Sequence, residues 1–373
     1  VYADHLLLPW TRELLAQIPD VRLFDVHTHL GLHDPSGFRA TEAELLAALS
    51  LVDARAVMFP LAEPGGYREA NDAVLAAADA EPRLVPFARL SPQDAVAEGR
   101  RCVRAGAAGF KLHPASDGFS PFDDRLEPLY AFAERERLPV LVHTGPGTPP
   151  LGKRLLDLLT RFPQLRMVLA HAALTDLEWL ADRAAEFPTL MFDTSWWSAS
   201  DLVALCTRVP PGQILLASDL PYSTPVWAVH ATLRCGGYAG LGPGQLAGVA
   251  GGQCARLVAK EQLLDLGPAP GPSGQQPWLE RVHTYLAAAV EATKRGDGPG
   301  QTLELARNAC ELPDTHPLRS TADSVATLLD RYESYAPRHT TGNQYAPGWD
   351  LLAAAALLAR TPGPPLPTRS TMD

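Results

Sequence analysis

The chain has 373 residues, 46% of them hydrophobic and 20% charged, and its formal net charge is -10. That is ordinary globular composition, with enough chain for a large core such as a barrel plus a smaller domain. An acidic chain in which no block of lysine and arginine stands out argues against a nucleic-acid partner, while a locally positive, metal-containing cleft would still attract an anionic small molecule.

From Val21 to about Leu220, short β-prone apolar runs alternate with amphipathic helical stretches. The predicted strands are Leu23–Thr28, Ala56–Phe59, Leu84–Phe87, Gly109–His113, Val140–His143, Met167–His171, Leu190–Asp193 and Ile214–Ser218. Their nearly continuous hydrophobicity suits strands buried on both faces of a parallel sheet. Helix starts are signalled between them. Thr41 with Glu44 and Thr175 with Glu178 read as capping boxes. Ser91-Pro92 reads as an N-cap followed by a first-turn proline, with Gly106 ending that helix. Eight β-α alternations predict an α/β fold, a (β/α)8 barrel, with a doubly wound open sheet as the alternative.

Gln245 to Gln262 reads as a last helix closing the barrel, so residues 1–266 form the barrel domain. Residues 267–277 have the proline- and glycine-rich composition of a linker. Residues 278–360 form a small all-helical C-terminal region, with helical periodicity at Trp278–Lys294, Gln301–Cys310, Ser320–Tyr335 and Trp349–Ala359. The Pro-rich end, 361–373, is expected to be a disordered tail. Val1 to Trp10 lacks the pattern of a signal peptide, and Leu351–Ala359 is too short to span a bilayer. Five cysteines without a C-x-x-C pair fit reduced thiols better than a disulfide framework. The expectation is a cytoplasmic protein with no membrane partner, and a homo-oligomer remains open.

Asp25-Val26-His27-Thr28-His29 ends the first predicted strand. Alternate strand residues share a face, so His27 and His29 leave the strand side by side, as two ligands of one metal ion must. Alone, the motif reads as well as one buried and one exposed histidine. In a barrel, however, sites sit at the C-terminal strand ends. The fourth strand ends in Lys111 and His113, the fifth in His143, the sixth in His171 and the eighth in Ser218-Asp219. A His-rich set near an aspartate fits a divalent ion of borderline softness, namely zinc, manganese or iron.

These residues resemble the amidohydrolase superfamily, specifically its amidohydrolase-related branch, over roughly Phe24 to Leu257. The resemblance rests on Asp25 to His29, Gly109 to Pro114, Val142 to Gly145, Leu169 to Ala172 and Ala217 to Leu220. Gly251 to Leu257 resembles the branch's terminal helix, with Gln253 where the family usually has Asn. The resemblance implies a metal-dependent hydrolase. His27, His29, His143 and Asp219 would be metal ligands, with one ion, zinc first, favoured over two. Asp219 would also be the general base that takes a proton from the attacking water. His171 would polarise the substrate carbonyl or help hold a second metal. Lys111 has two readings: a carbamylated ligand bridging two metals, or a cation that binds a substrate carboxylate.

Other residues carry a lesser expectation of substrate contact. His113 shares a strand face with Lys111, Arg89 ends the third strand, and His33 and Asp34 follow the first. Asp193 and Tyr222 are candidates for the pocket wall. Of Trp196 and Trp197 at most one is expected to face a ligand. His5, His230, His283, His316 and His339 are expected to be structural or surface residues. Three functions follow. The first is hydrolysis of a C–N or C–O bond in a small, carboxylate-bearing molecule. The second is metal-dependent non-oxidative decarboxylation on the same barrel. The third is a non-catalytic scaffold that binds a partner through the C-terminal helices.

Overall fold

The computed structural model describes residues 2–272, 274, 276–340 and 345–363. Eight parallel strands follow one another in chain order: β1 (Phe24–Leu30), β2 (Arg55–Pro60), β3 (Leu84–Arg89), β4 (Gly109–Leu112), β5 (Val140–Val142), β6 (Met167–Leu169), β7 (Leu190–Asp193) and β8 (Ile214–Leu215). Single hydrogen bonds, not a full ladder, join the first strand to the segment that follows the last. Val26 N–H donates to the Leu216 carbonyl at 2.9 Å, Asp219 N–H to that of His27 at 2.8 Å, and His29 N–H to that of Leu220 at 2.8 Å. The ring so formed is the expected (β/α)8 barrel.

Two apolar layers hold it. Inward residues of the strands, among them Val26, Val57, Phe87, Leu141, Val168 and Leu215, fill the barrel, and Cys254 and Leu257 pack with them. Outward residues such as Met58, Phe110, Val140 and Phe192 pack against the surrounding helices. Alternation along each strand explains the division, and burial on both faces explains the continuous apolar runs.

Helix signals fared unevenly. The Thr41–Glu44 capping box is formed: Glu44 N–H donates to Thr41 Oγ1, and Thr41 N–H to Glu44 Oε2. Gly106, at φ +108°, follows the helix Ala95–Arg104 as expected. That helix starts after Asp94, however, and Ser91-Pro92 stays in the turn before it. Thr175 caps nothing: the helix there is Leu177–Ala181, and the Asp176 carboxylate is taken by the N–H groups of Leu151 and Gly152. The stretch Gln245–Gln262 is not one helix. It is Pro243–Ala247, a π-turn Gly248–Gly252, then Gln253–Val258. The helices Asp4–Leu15 and Pro225–Tyr238 carried no recognised signal.

The C-terminal helices are Pro277–Lys294, Gln301–Ala309, Arg319–Tyr335 and Trp349–Arg360. The last is buried from Trp349 to Ala359, and its side chains belong to the same apolar cluster as the outer layer of the barrel. Ala3 N–H donates to Asp350 Oδ2 at 2.7 Å, and Arg234 Nε to Thr361 Oγ1 at 2.8 Å. Thr361 is therefore buried rather than part of a loose tail, while 364–373 lie outside the described residues. Residues 273 and 275 of the expected linker also lie outside them. The five cysteines are free and buried. No helix among the described residues is long and apolar enough to cross a membrane.

Candidate active site

The C-terminal strand ends open into a cavity of about 450 Å³. A β-bulge in β1, between Asp25 and Thr28, contains His27 and precedes His29. Bulges re-aim side chains, and both His27 and His29 face the cavity. Asp25 secures this corner: its Oδ1 accepts from the N–H of His27 and of Ser218, each at 3.0 Å, tying β1 to the chain beyond β8.

His27, His29 and Asp219 form one cluster whose ligand atoms all lie within 4.8 Å of one another. Asp219 Oδ1 is 3.0 Å from the Nε2 of both histidines. The buried Asp193 holds His27 from behind, its Oδ2 2.7 Å from Nδ1. A carboxylate there takes the Nδ1 proton, and His29 Nδ1 faces the carbonyl of Pro60 at 3.4 Å. The Nε2 lone pairs then point at a carboxylate oxygen, three acceptors around one point. Only a cation, a proton or a metal ion, makes that arrangement favourable. The donor set, with an outer carboxylate orienting one imidazole, fits a divalent metal.

Electrostatics follow from burial. Burial raises and its histidine neighbours lower the Asp219 pKa, and the histidines win, holding it well below the usual carboxylate range. For His27, burial and Lys111 oppose protonation, but Asp219 and Asp193 prevail and raise its pKa. Burial pushes His29 down to about 3 and His143 well below the usual histidine value.

His143 and His171 stand beside the cluster without joining it. His143 Nδ1 lies 3.0 Å from His171 Nε2, and its Nε2 lies 3.2 Å from the Pro146 carbonyl. A neutral His143 has one proton for these two acceptors. His171 Nδ1 is fixed on the Ser195 carbonyl at 2.8 Å. His171 and Asp219 both adopt left-handed backbone, at φ +57° and +60°. Such conformations cost roughly 1–3 kcal/mol each and gather where a side chain must be aimed. His113 lines the cavity and stacks on His143, with ring centroids 3.9 Å apart.

Other expectations need correction. Lys111 is fully buried, its Nζ 3.2 Å from His27 Nε2 and 4.7 Å from the Phe59 ring centroid, and burial pushes the amine down to about 7. It backs the cluster and does not line the cavity. Arg89 is also buried away from the cavity. Its guanidinium is spent on Asp117 at 2.8 Å, on Ser116 and on the Pro60 carbonyl. His33 is exposed, pairs with Glu63 at 3.2 Å and lines a neighbouring groove. Asp193 supports the wall from behind. Asp34 accepts from the Tyr222 hydroxyl at 3.1 Å and so positions a ring that does line the cavity. Trp196 and Trp197 both line it, with ring centroids 3.7 Å apart, because they follow the strand and escape its alternation. His230 and His283 are buried, and His283 bonds Ser200 and the Ala356 carbonyl.

Among the wall residues that the sequence reading did not anticipate, Trp227 comes from the barrel and Lys294, Tyr345 and Trp349 come from the C-terminal region. Lys294 ends an amphipathic helix, where a lysine ordinarily reads as a solvated cap to the dipole. Its Nζ instead lies 3.9 Å from each of the ring centroids of Trp197, Tyr345 and Trp349. Burial pushes its amine down to about 7.

A (β/α)8 barrel with a His-and-Asp cluster at its C-terminal strand ends is thus the class of protein that fold and site define. Residues 24–252 match the family model described as Amidohydrolase, and the chain belongs to that family. No curated protein matches it in sequence. Among solved structures it is similar to an amidohydrolase from Burkholderia multivorans with bound HEPES, at TM-score 0.53 and 14% identity. It is also similar to 5-carboxyvanillate decarboxylase from Sphingomonas paucimobilis, at TM-score 0.50 and 17% identity. Each match covers 64% of this chain and 99% of the other. A candidate 2-pyrone-4,6-dicarboxylic acid hydrolase from Pseudomonas putida is similar at TM-score 0.51 and 15% identity, covering 65% of this chain and 99% of that one.

Proposed function

We propose that this chain is a metal-dependent hydrolase acting on a C–N or C–O bond of a small carboxylate-bearing molecule. The observation that carries the reading is the convergence of His27 Nε2, His29 Nε2 and Asp219 Oδ1 on one point in the cavity. A divalent ion held there would supply Lewis-acid polarisation of the bond under attack and activation of water. In this reading Asp219 takes the proton of the attacking water and passes it to the leaving group. His171, with its Nδ1 proton on the Ser195 carbonyl, presents an Nε2 lone pair toward His143 and the cavity, where it can accept a hydrogen bond from a substrate N–H or O–H or help hold a second metal ion. Asp219 is the sole acidic residue among the described ones lining the cavity, which otherwise carries histidines, Lys294 and aromatic rings. With a divalent ion held by the cluster, the ion and Lys294 would favour an anionic substrate.

A second reading, non-oxidative decarboxylation, has its own support. Trp196, Trp197, Trp227, Trp349, Tyr222 and Tyr345 line the cavity. An apolar wall strips water from a carboxylate and so favours loss of carbon dioxide over retention of charge. The decarboxylase from Sphingomonas paucimobilis shares the fold.

The test is metal content followed by product analysis. Protein purified without chelators in bicarbonate buffer should hold about one zinc, manganese or iron per chain. Close to two ions would bring Lys111 into the ligand set as a carbamate, since its amine already touches His27. No metal after reconstitution would overturn both enzyme readings and leave the partner-binding scaffold. On a panel of aromatic and unsaturated carboxylates, a hydrolysed product supports the first reading, and carbon dioxide without hydrolysis supports the second.

A further inference from the structure

The C-terminal helices close the cavity with a cation, Lys294, which Asp219, Glu291 and Asp350 attract from beyond contact distance. No carboxylate among the described residues lies within ion-pair distance of Lys294. Its neighbours are three aromatic faces, which attract a cation but satisfy none of its N–H donors as an anion would. Of the neighbouring rings, Trp197 turns its Nε1 proton elsewhere, to Glu291 Oε1 at 2.9 Å, and that acid thereby braces the cage wall. A desolvated ammonium without an acceptor is costly unless something supplies one. Lys294 faces the same cavity as the histidine cluster, so what enters the cavity can supply it. Lys294, Tyr345 and Trp349 also lie outside the stretch matched by the family, residues 24–252. They belong to the C-terminal helical region that follows the barrel.

We propose that Lys294, framed by Trp197, Tyr345 and Trp349, is a specificity-determining residue that binds a second anionic group of the substrate. The histidine cluster holds the reacting group, and the aromatic faces around Lys294 receive a planar skeleton between them. The substrate class is then a flat molecule with two acidic groups. This rests on the reading of the cavity as the substrate site.

The experiment uses full-length, zinc-loaded protein and two probes, isophthalate with two carboxylates and benzoate with one. Binding is followed by calorimetry and by quenching of cavity tryptophan fluorescence. Lys294→Met is expected to weaken isophthalate binding about 10-fold or more, the weight of a charge-assisted hydrogen bond, and to leave benzoate nearly unchanged. Lys294→Arg is expected to restore most of the loss. Lys294→Met is also expected to melt at the same or a higher temperature, because it removes an unpaired, partly buried charge. A lysine with a purely structural role would give the opposite, a lower melting temperature with both probes weakened alike, and that result overturns the inference. So does failure of wild type to prefer isophthalate to benzoate. His29→Ala separates the two proposals. If it weakens both probes while Lys294→Met weakens neither, the inference falls and the proposed function stands. If neither His29→Ala nor zinc removal affects either probe, the proposed function falls and takes the inference with it.

Discussion

At the scale of single residues, the site depends on side chains that never touch a ligand. Asp193 takes the Nδ1 proton of His27 and is itself pinned by the His171 N–H at 2.8 Å and the Ser195 hydroxyl at 2.6 Å. Asp193→Asn keeps the shape but turns a charged acceptor into a neutral amide, and His27 loses the partner that fixes its tautomer. Metal affinity is expected to fall about 10- to 100-fold, the usual weight of such outer partners. Competition with a chromophoric chelator measures it, and unchanged affinity would show that Asp193 does not orient the ligand. His27→Ala and Asp219→Asn are expected to abolish turnover while the circular dichroism spectrum stays native. Arg89 makes a contrasting case. Its partners are all internal, so Arg89→Met takes the cation from Asp117, which keeps only the Tyr67 and Ser116 hydroxyls, and should cost about 1–3 kcal/mol in urea unfolding. Metal affinity should not change, and a large loss would return Arg89 to the site.

Individual elements differ in how much of them could be read from sequence, and the reason is burial. Strands of a parallel barrel are apolar on both faces, so each appears as a short uninterrupted run, and a polar residue that ends the run is a candidate for the cavity, although Arg89 and Asp193 end β3 and β7 without lining it. His27, His29, His113, His143, His171 and Asp219 were legible in this way. Helix Pro225–Tyr238 is buried almost all round, so it shows no amphipathic stripe to find. The Trp196-Trp197 pair misled because strand alternation was extended past the strand. The π-turn at Gly248–Gly252 has a local cause. A Cβ on Gly251 would sit 2.0 Å from the Arg22 carbonyl oxygen and 2.9 Å from the Phe24 nitrogen, backbone atoms that lead into β1. Gly251→Ala must therefore push the first strand away. It is expected to destabilise by roughly 1–3 kcal/mol and to weaken metal binding, because β1 carries His27 and His29. A calorimetric melt together with a metal titration checks both, and a native melt would show that the turn can relax. The neighbouring Gln253 departs from the usual Asn of this helix yet is fully engaged. Its amide donates to the carbonyls of Gly212 and Leu264 and accepts from the Leu264 N–H at 2.8 Å.

For the whole molecule, the question is why a barrel carries helices beyond its closing turn. They complete the cavity wall, and nothing in their sequence announces it, since Lys294, Tyr345 and Trp349 share no motif and meet only in space. The same packing has an electrostatic cost at its seam. Asp350 follows the cavity residue Trp349 and is buried against the N-terminal segment, where Oδ2 accepts from Ala3 N–H and Oδ1 has no hydrogen-bond partner among the described residues. Burial raises its pKa from 3.8 to about 7, and burial raises that of Asp4 to about 6. A carboxyl group whose pKa is higher folded than unfolded binds more protons in the native state. Its contribution to stability is fully present below about pH 4, the unfolded value, and is lost as pH rises through about 7. Asp350→Asn keeps an oxygen for Ala3 N–H and removes the ionisation. The variant is therefore expected to melt close to wild type at pH 4 and several degrees above it at pH 8, with the gap opening steadily between. Scanning calorimetry across that range measures the gap, and a constant difference would remove Asp350 as the titrating group. If the gap opens, ionisation of Asp350 loosens the helix that carries Trp349. Dicarboxylate binding is no clean readout of this loosening, because Lys294 loses its own proton near pH 7 and Asp350 is one of the acids that favour its charge; the melting gap is, and it would tie the stability of the added helices to the ionisation of the residue beside Trp349.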